Sequence, residues 1–351
     1  MRYYIGCDAH KKYSVFTGIS ESGEIIPAKR VEHDKQKLRS FLMTLPTGSE
    51  IAIESVGNWY WLIDEMEKAG HKPSLVNAGR AKKMMGNINK TDKLDARGLA
   101  ILARNGTLPD VWIPPGELRD QRELPRMRLV LVSIRTKLKN RIHATFAKYG
   151  INFEEIGDLF GNRGRRQLGQ SLLELPPETR HSVEEQLQLV DQVEASIKGT
   201  EDRIKGVIKE NHVMQILETL PGVGPILAIT IALEMGNVER FPTAEKFASY
   251  AGKTPRVISS GDKTYYGRVR PDVNRYLKWA FTEAANVIVL QQHHLGDCHV
   301  LRLYFRIKAN KGHAKAVTAV GRHLAEAAYW MLRNDQPYRE PRVKLTSSAR
   351  G

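Results

Sequence analysis

The sequence predicts an α/β fold at the N-terminus and a mostly helical architecture over the rest of the chain. Three observations carry this. Up to about residue 77, short apolar runs with strand-like alternation are interleaved with amphipathic helical stretches. From Pro114 onward the strand pattern stops, and Leu, Arg, Gln and Glu recur at helical spacing. With 351 residues and 41% hydrophobic side chains, the chain can bury more than one core.

Residues 3–8 form a short β run ending on an acid, and residues 13–19 (YSVFTGI) form a second run after a polar turn, so the two make a hairpin. A third strand covers 24–28, because ESGE is a turn and the amphipathic stretch 35–45 reads as a helix. Residues 50–54 (EIAIE) make a fourth, buried strand. A helix over 59–69 closes at Gly70, a fifth strand spans 73–77, and a helix spans 93–105. The order over residues 1–112 is therefore β-β-β-α-β-α-β-α. Residues 113–210 read as a helical linker with coiled-coil character. Residues 211–336 read as a C-terminal domain, mostly helical, with a loop-rich basic insert between Gly252 and Arg275. Residues 337–351 read as a disordered tail.

The charge balance, 54 Lys and Arg against 39 Asp and Glu for a formal +15, points to a polyanionic partner. Residues 117–148 concentrate it, with nine Lys or Arg against three acids, a helix able either to lie along phosphates or simply to present a solvated face. Cys7 and Cys298 are too few for a disulfide framework and have no zinc-ligand spacing. The longest apolar stretch, 226–233, falls far short of the ~20 residues that span a bilayer. These features describe a soluble, cytoplasmic protein.

Four carboxylates carry the chemistry. Asp8 and Glu54 each stand at the end of a strand and can emerge at one edge of the same sheet. Asp92 and Asp95, three residues apart, share a helix face if Asp92 opens the helix. Converging acids repel, so the arrangement persists when a divalent cation neutralises it, and Mg²⁺ suits an all-oxygen set. Two ions about 4 Å apart would activate the attacking oxygen and stabilise the leaving one in phosphodiester cleavage. Taken singly, Asp92 also reads as a helix N-cap, and Glu54 as a partner for a Lys or Arg.

In order along the chain, GCDAHKK, IAIESVGNWY and NKTDKLDARGLA resemble the DEDD transposases of the IS110 insertion-sequence family, a group that includes Piv-type DNA invertases. LPGVGPILAITIALEMGNVERFPTAEKFASYAGKTPR is similar to the family's second block, and KANKGHAKAVTAVGRHLAEAAYWML to its last helix, so the resemblance spans roughly residues 3–335. It implies a RuvC-like, RNase H-type N-terminal domain with Asp8, Glu54, Asp92 and Asp95 as its acids. It further implies a helical linker and a C-terminal transposase domain with a serine nucleophile. That serine falls on Ser260 in TPRVISSGDKTYYGR, with Ser259 adjacent and still open. The resemblance also implies Mg²⁺, donor and target DNA, a structured guide RNA from the element and a homo-oligomer, dimer or tetramer. Where family members commonly carry a glycine, near RVRPDVNRYLKW, this chain has Asp272, Val273 and Asn274.

A serine hydroxyl is a weak nucleophile unless a base or a metal activates it, and a phosphoserine link would conserve bond energy for resealing. LPGVGP, with Gly222 and Gly224, has the shape of a helix-hairpin-helix turn whose backbone amides meet a phosphate, or of a tight turn packed in the core. Arg256, Lys263, Arg268, Arg270 and Arg275, interleaved with Tyr265, Tyr266 and Tyr276, form a basic and aromatic patch around the serine suited to phosphates. Trp59 and Tyr60 read as core anchors, and His10, in a Lys-rich loop, as a solvated side chain. The expected function is transposition or site-specific recombination by carboxylate-bound metal and serine. The same acids without the serine would suit a Holliday-junction-resolvase-like nuclease, and the fold without chemistry a nucleic-acid-binding protein.

Overall fold

The structure is a computed structural model that describes residues 2–86, 91–153, 156–261 and 263–341, together with the backbone but not the side chain of Ser260. Asn89 and Lys90 of the third motif, and the tail from residue 342, lie outside the described residues. The chain divides into two compact units, Met1–Pro114 and Pro115–Gly351.

In the first unit, β1 (Tyr3–Ala9), β2 (Tyr13–Ser20) and β3 (Ile25–Glu32) form an antiparallel meander followed by α1 (Lys35–Leu42). Then come β4 (Glu50–Glu54), α2 (Trp59–Lys68), β5 (Lys72–Val76), α3 (Ala78–Met85), α4 (Asp92–Arg104) and β6 (Asp110–Val111). β4 lies parallel to β1, and β5 parallel to β4, giving the sheet order β3-β2-β1-β4-β5-β6. The expected strands are all present. The third is longer than its alternation suggests, running to Glu32, because β2 supplies a partner over its whole length. The short basic helix α3, capped by Asn77, and the two-residue β6 carry too little apolar pattern to be read from sequence.

Strand parity sorts the sheet's two faces. Ile5, Cys7, Ile51 and Ile53 pack with Leu38, Leu42, Leu62 and Met66 under α1 and α2. Tyr4, Ala52 and Val76 face the other way, against Leu99, Leu102 and Ala103 of α4. On that second face Gly6 is decisive. A Cβ built there would lie 1.7 Å from the carbonyl oxygen of Ala96 and 2.9 Å from the amide nitrogen of Ala100, so the helix backbone rests directly on the strand.

The second unit begins with a helical hairpin. α5 (Gly116–Lys148), α6 (Asn162–Ser171) and α7 (Pro177–Val207) pack so that Arg128 meets Glu201, Lys139 meets Glu194 and Tyr149 meets Thr179, which makes α5 and α7 antiparallel. Ile142 and Phe146 seal the far end with Leu168, Val183 and Val190. The remainder comprises α8 (His212–Glu218), α9 (Pro225–Met235), α10 (Ala244–Tyr250), α11 (Arg275–Leu290), α12 (His299–Lys311) and α13 (His313–Arg333), which share one apolar core, together with β7 (Pro255–Ser260) and β8 (Lys263–Val269) outside it. The basic insert expected to be loop-rich is thus a β-hairpin. Its backbone satisfies itself across the two strands although its side chains pack on nothing, which is why burial-based patterning missed it. The first residues beyond Pro337 are tied down rather than loose: the amide of Tyr338 donates to Thr219 Oγ1 at 2.8 Å, and the amide of His299 donates to Glu340.

Gly6→Ala is expected to cost about 3 kcal/mol, the upper end of the usual range for overpacking, because backbone and not a flexible side chain must yield. Urea denaturation of the full chain checks this, and an unchanged midpoint would contradict the close packing of α4 on β1.

Candidate active site and nucleic-acid interface

The packing at Gly6 brings the N-terminal acids together. β1 and β4 pair in the register Gly6 with Ala52 and Cys7 with Ile53, so Asp8 and Glu54 occupy the next positions on adjacent strand ends, on the face that α4 covers. Asp92 is the first residue of α4. Thr91 takes the N-cap, its Oγ1 accepting from the amide of Leu94 at 3.3 Å, so Asp92 is not spent on capping and its carboxylate faces the site. Asp95 follows one turn on, and both acids are favoured by the positive end of the helix.

Asp8 is 9% exposed. Burial pushes its carboxyl above the usual carboxylate range, His10 draws it down, and the charges of Asp92 and Asp95 push it up again. His10 was read as a solvated side chain, and the structure corrects this. Its Nε2 lies 3.1 Å from Asp8 Oδ2 and 3.2 Å from Asp92 Oδ2, while Tyr13 Oη donates to Asp92 Oδ2 at 3.0 Å. Donor atoms of Asp8, His10 and Asp92 lie within 4.8 Å of one another, and among the described residues these three form the tight group. Asp95 acts on Asp8 through its charge, and Glu54 acts likewise on the neighbouring Cys7 thiol, which burial above all pushes up. Two carboxylates and an imidazole converging at a strand end, with two further acids close by, suit a divalent cation. The one sequence signal for His10 was its spacing two residues after Asp8.

In the second unit, β7 and β8 pair as Val257 with Tyr266, Ile258 with Tyr265, Ser259 with Thr264 and Ser260 with Lys263. Arg256, Lys263 and Arg268 on this ribbon are exposed, as is Arg275 at the start of α11; Arg270 is half-buried, with its Nε 3.4 Å from Asp272. Val257, Ile258, Tyr265 and Tyr266 are each more than half exposed. Ser259 Oγ lies 3.1 Å from Thr264 Oγ1. Where the chain departs from its resemblance, Asn274 caps α11, its Oδ1 accepting from the amides of Tyr276 and Leu277 at 3.0 Å. Trp59 is half-buried against the sheet core and in ring contact with Tyr60.

The two glycines of the turn before α9 separate. Gly222 has φ +75° and a Cβ there would meet the carbonyl oxygen of Ala284 at 2.2 Å, so the turn packs backbone to backbone on α11. Gly224, at the N-cap of α9, has open space around it. On α5, Arg122, Arg126, Arg128 and Lys139 are committed to carboxylates of the protein, whereas Lys137, Arg141 and Lys148 are exposed.

An acid cluster on a mixed sheet, carried with a basic exposed ribbon, marks the class of DNA-processing enzymes. The comparisons make the class particular. The IS110-type DEDD family model, described as a transposase, matches residues 5–151, and the model described as Transposase IS116/IS110/IS902 family matches residues 214–297. The transposase for insertion sequence element IS1111A of Coxiella burnetii is 25% identical over 95% of this chain and 91% of its own length. A probable family 20 transposase of Pseudomonas aeruginosa is 24% identical over 81% of this chain and 83% of its own length. The IS116 uncharacterized 44.8 kDa protein of Streptomyces clavuligerus is 22% identical over 99% and 98%. The chain belongs to the IS110 family of DEDD transposases. Membership makes it an enzyme that cuts and rejoins DNA and depends on a divalent metal. Among the described residues no helix is long and apolar enough to cross a membrane.

Lys253, at the base of the ribbon, is 3% exposed, with Nζ 2.5 Å from Thr282 Oγ1. Burial, aided by the charge of Lys278, lowers its amine to about 7 from the ordinary 10.5. Between those values the unfolded chain holds the extra proton, so this group makes stability rise with pH across that window. Lys253→Met is expected to be more stable than the parent at pH 7 and to lose that rise, read from urea midpoints at pH 7 and pH 9.5.

Proposed function

We propose that the protein transposes its own insertion sequence, using carboxylate-held Mg²⁺ and a serine nucleophile on one DNA strand. The observation that supports it most directly is the convergence of Asp8 and Asp92 at the end of a central strand, with Glu54 and Asp95 beside them. Three antiparallel strands continued by parallel ones, with helices on both faces, are what a RuvC-like, RNase H-type domain calls for.

In this reading Asp8, Glu54, Asp92 and Asp95 hold the cation. When bound, the metal polarises the phosphodiester and stabilises charge on the leaving oxygen. Ser260 Oγ attacks phosphorus, the serine–phosphorus bond forms, and the bond to the sugar oxygen breaks. The sugar leaves as a hydroxyl, taking up the proton the serine gives up. A hydroxyl of another strand then reverses the step, so strands are rejoined without an external energy source. Register favours Ser260 over Ser259: it sits beside the turn, opposite Lys263, whose ammonium draws a phosphate to it, whereas Ser259 is engaged with Thr264. Arg256, Arg268, Arg270 and Arg275 would hold the DNA backbone around it. Gly224 at the start of α9 would offer a further phosphate contact, with Gly222 setting the turn. A structured guide RNA, which the family resemblance brings, would find cations in the exposed Lys137, Arg141 and Lys148 of α5. The chain would act as a homo-oligomer.

Ser260→Ala is expected to abolish the covalent protein–DNA adduct on a denaturing gel while Ser259→Ala retains it. An undiminished adduct in Ser260→Ala, or cleavage with no adduct in the parent, sinks the serine step and leaves a nuclease. Asp8→Asn is expected to slow strand cleavage with Mg²⁺ by more than about a hundredfold, beyond the loss typical of groups that only support a ligand. Unchanged DNA rearrangement in that variant would overturn the enzymatic reading.

A further inference from the structure

Resting on the carboxylate reading above, we infer that His10 is a ligand of the bound cation, so that the site presents one imidazole nitrogen alongside Asp8 and Asp92. The spacing carries this. Ligand atoms at right angles on an ion with bonds of about 2.1 Å stand about 3 Å apart. His10 Nε2 lies 3.1 Å from one carboxylate oxygen and 3.2 Å from the other, and all three atoms lie within 4.8 Å of one another.

The histidine is also held in place, as ligands are. Its amide donates to the carbonyl of Tyr13 at 2.9 Å, closing the turn between β1 and β2. Its own carbonyl accepts from Asn58 Nδ2 at 2.9 Å, and its ring lies 4.6 Å from that of Tyr13. Behind it His33 Nε2 meets Ser14 Oγ at 2.8 Å, and His33 Nδ1 lies 3.3 Å from both Asn58 Nδ2 and the carbonyl of Lys11. Groups from β2, the end of β3 and the start of α2 thus fix a turn that would otherwise be a mobile, lysine-rich tip. Asn58 and His33 are positioning residues in this account, since neither is in the ligand group.

A nitrogen ligand alters which ions the site prefers. Imidazole suits transition metals better than Mg²⁺, whereas carboxylates alone suit Mg²⁺ and Mn²⁺ alike, so a mixed set weakens the preference for Mg²⁺. An opposing arrangement has the same atoms: a protonated His10 standing between the two carboxylates in place of the cation, which would have to leave when the metal arrives. The two differ in sign, since removing a ligand weakens binding and removing an occupant strengthens it.

The test titrates the metal-free full-length chain with Mn²⁺ alone, following free Mn²⁺ by its paramagnetic resonance and bound Mn²⁺ by electron spin-echo modulation. Nitrogen coupling is expected in the parent and absent in His10→Gln, with Mn²⁺ affinity lowered about tenfold or more in His10→Gln and by a smaller factor in Asn58→Ala. Both variants are first checked for a parental circular dichroism melt, and Asn58→Ala tests the turn without touching a ligand atom. Bound Mn²⁺ without nitrogen coupling, or equal or tighter binding by His10→Gln, overturns the role of His10 and leaves the carboxylate site standing. No Mn²⁺ binding by the parent overturns both.

Discussion

The N-terminal site depends on one steric constraint, the absence of a side chain at Gly6. A helix and a strand ordinarily pack through their side chains, which keeps their backbones well apart. Here Ala96 and Ala100 of α4 rest on the backbone of β1, at a position where even a methyl group has no room. The helix start is therefore lowered toward the sheet, and Asp92 comes within reach of a histidine that also touches Asp8. Thr91 completes the arrangement by capping the helix, which leaves the first acid of the helix to the site. The geometry of this acid and histidine cluster is thus set by packing two residues before Asp8.

Much of the N-terminal domain was legible in the sequence because its buried strands are short apolar runs bounded by polar turns. EIAIE is the continuous apolar run that a strand covered on both faces needs, and helix α2 stops where Gly70 takes φ +80°. The four acids were legible as strand-end and helix-start residues. His10 was not, because a lysine-rich turn gives no hint that Asn58, 48 positions later, will clamp it. The C-terminal ribbon was illegible for the opposite reason. Its strands bury nothing, so Val257, Ile258, Tyr265 and Tyr266 show no core-facing alternation, and only cross-strand pairing reveals the fold. Gly222 shows the limit of motif reading: packing against Ala284 accounts for its conformation before any phosphate is considered.

Charge in the second unit is divided between structure and surface. Glu234 is fully buried and receives Arg126 Nε at 2.7 Å and Asn274 Nδ2 at 2.8 Å, with Arg122 Nε 3.8 Å away. Arg122 also donates to the carbonyl of Leu233 at 2.8 Å. This one carboxylate thereby joins the root of α5 to α9 and to the cap of α11, the helix that receives the ribbon. Removing one member of such a buried set costs far more than the set contributes as a whole, so it fixes geometry more than it adds stability. The arginines of α5 that composition alone would assign to nucleic acid are partly consumed here.

The helical hairpin that grows from this root also has a length. A helix of 33 residues measures roughly 50 Å, which is about fifteen steps of B-form DNA at 3.4 Å each. Because α7 runs back alongside α5 over most of that distance and their ends pack in separate apolar clusters, the pair forms one two-helix arm anchored at both ends. Contacts made at its two ends would be held at a fixed separation, so the number of base pairs between them would be set by the count of helical turns, and deleting seven residues from each helix would shorten that interval by about three.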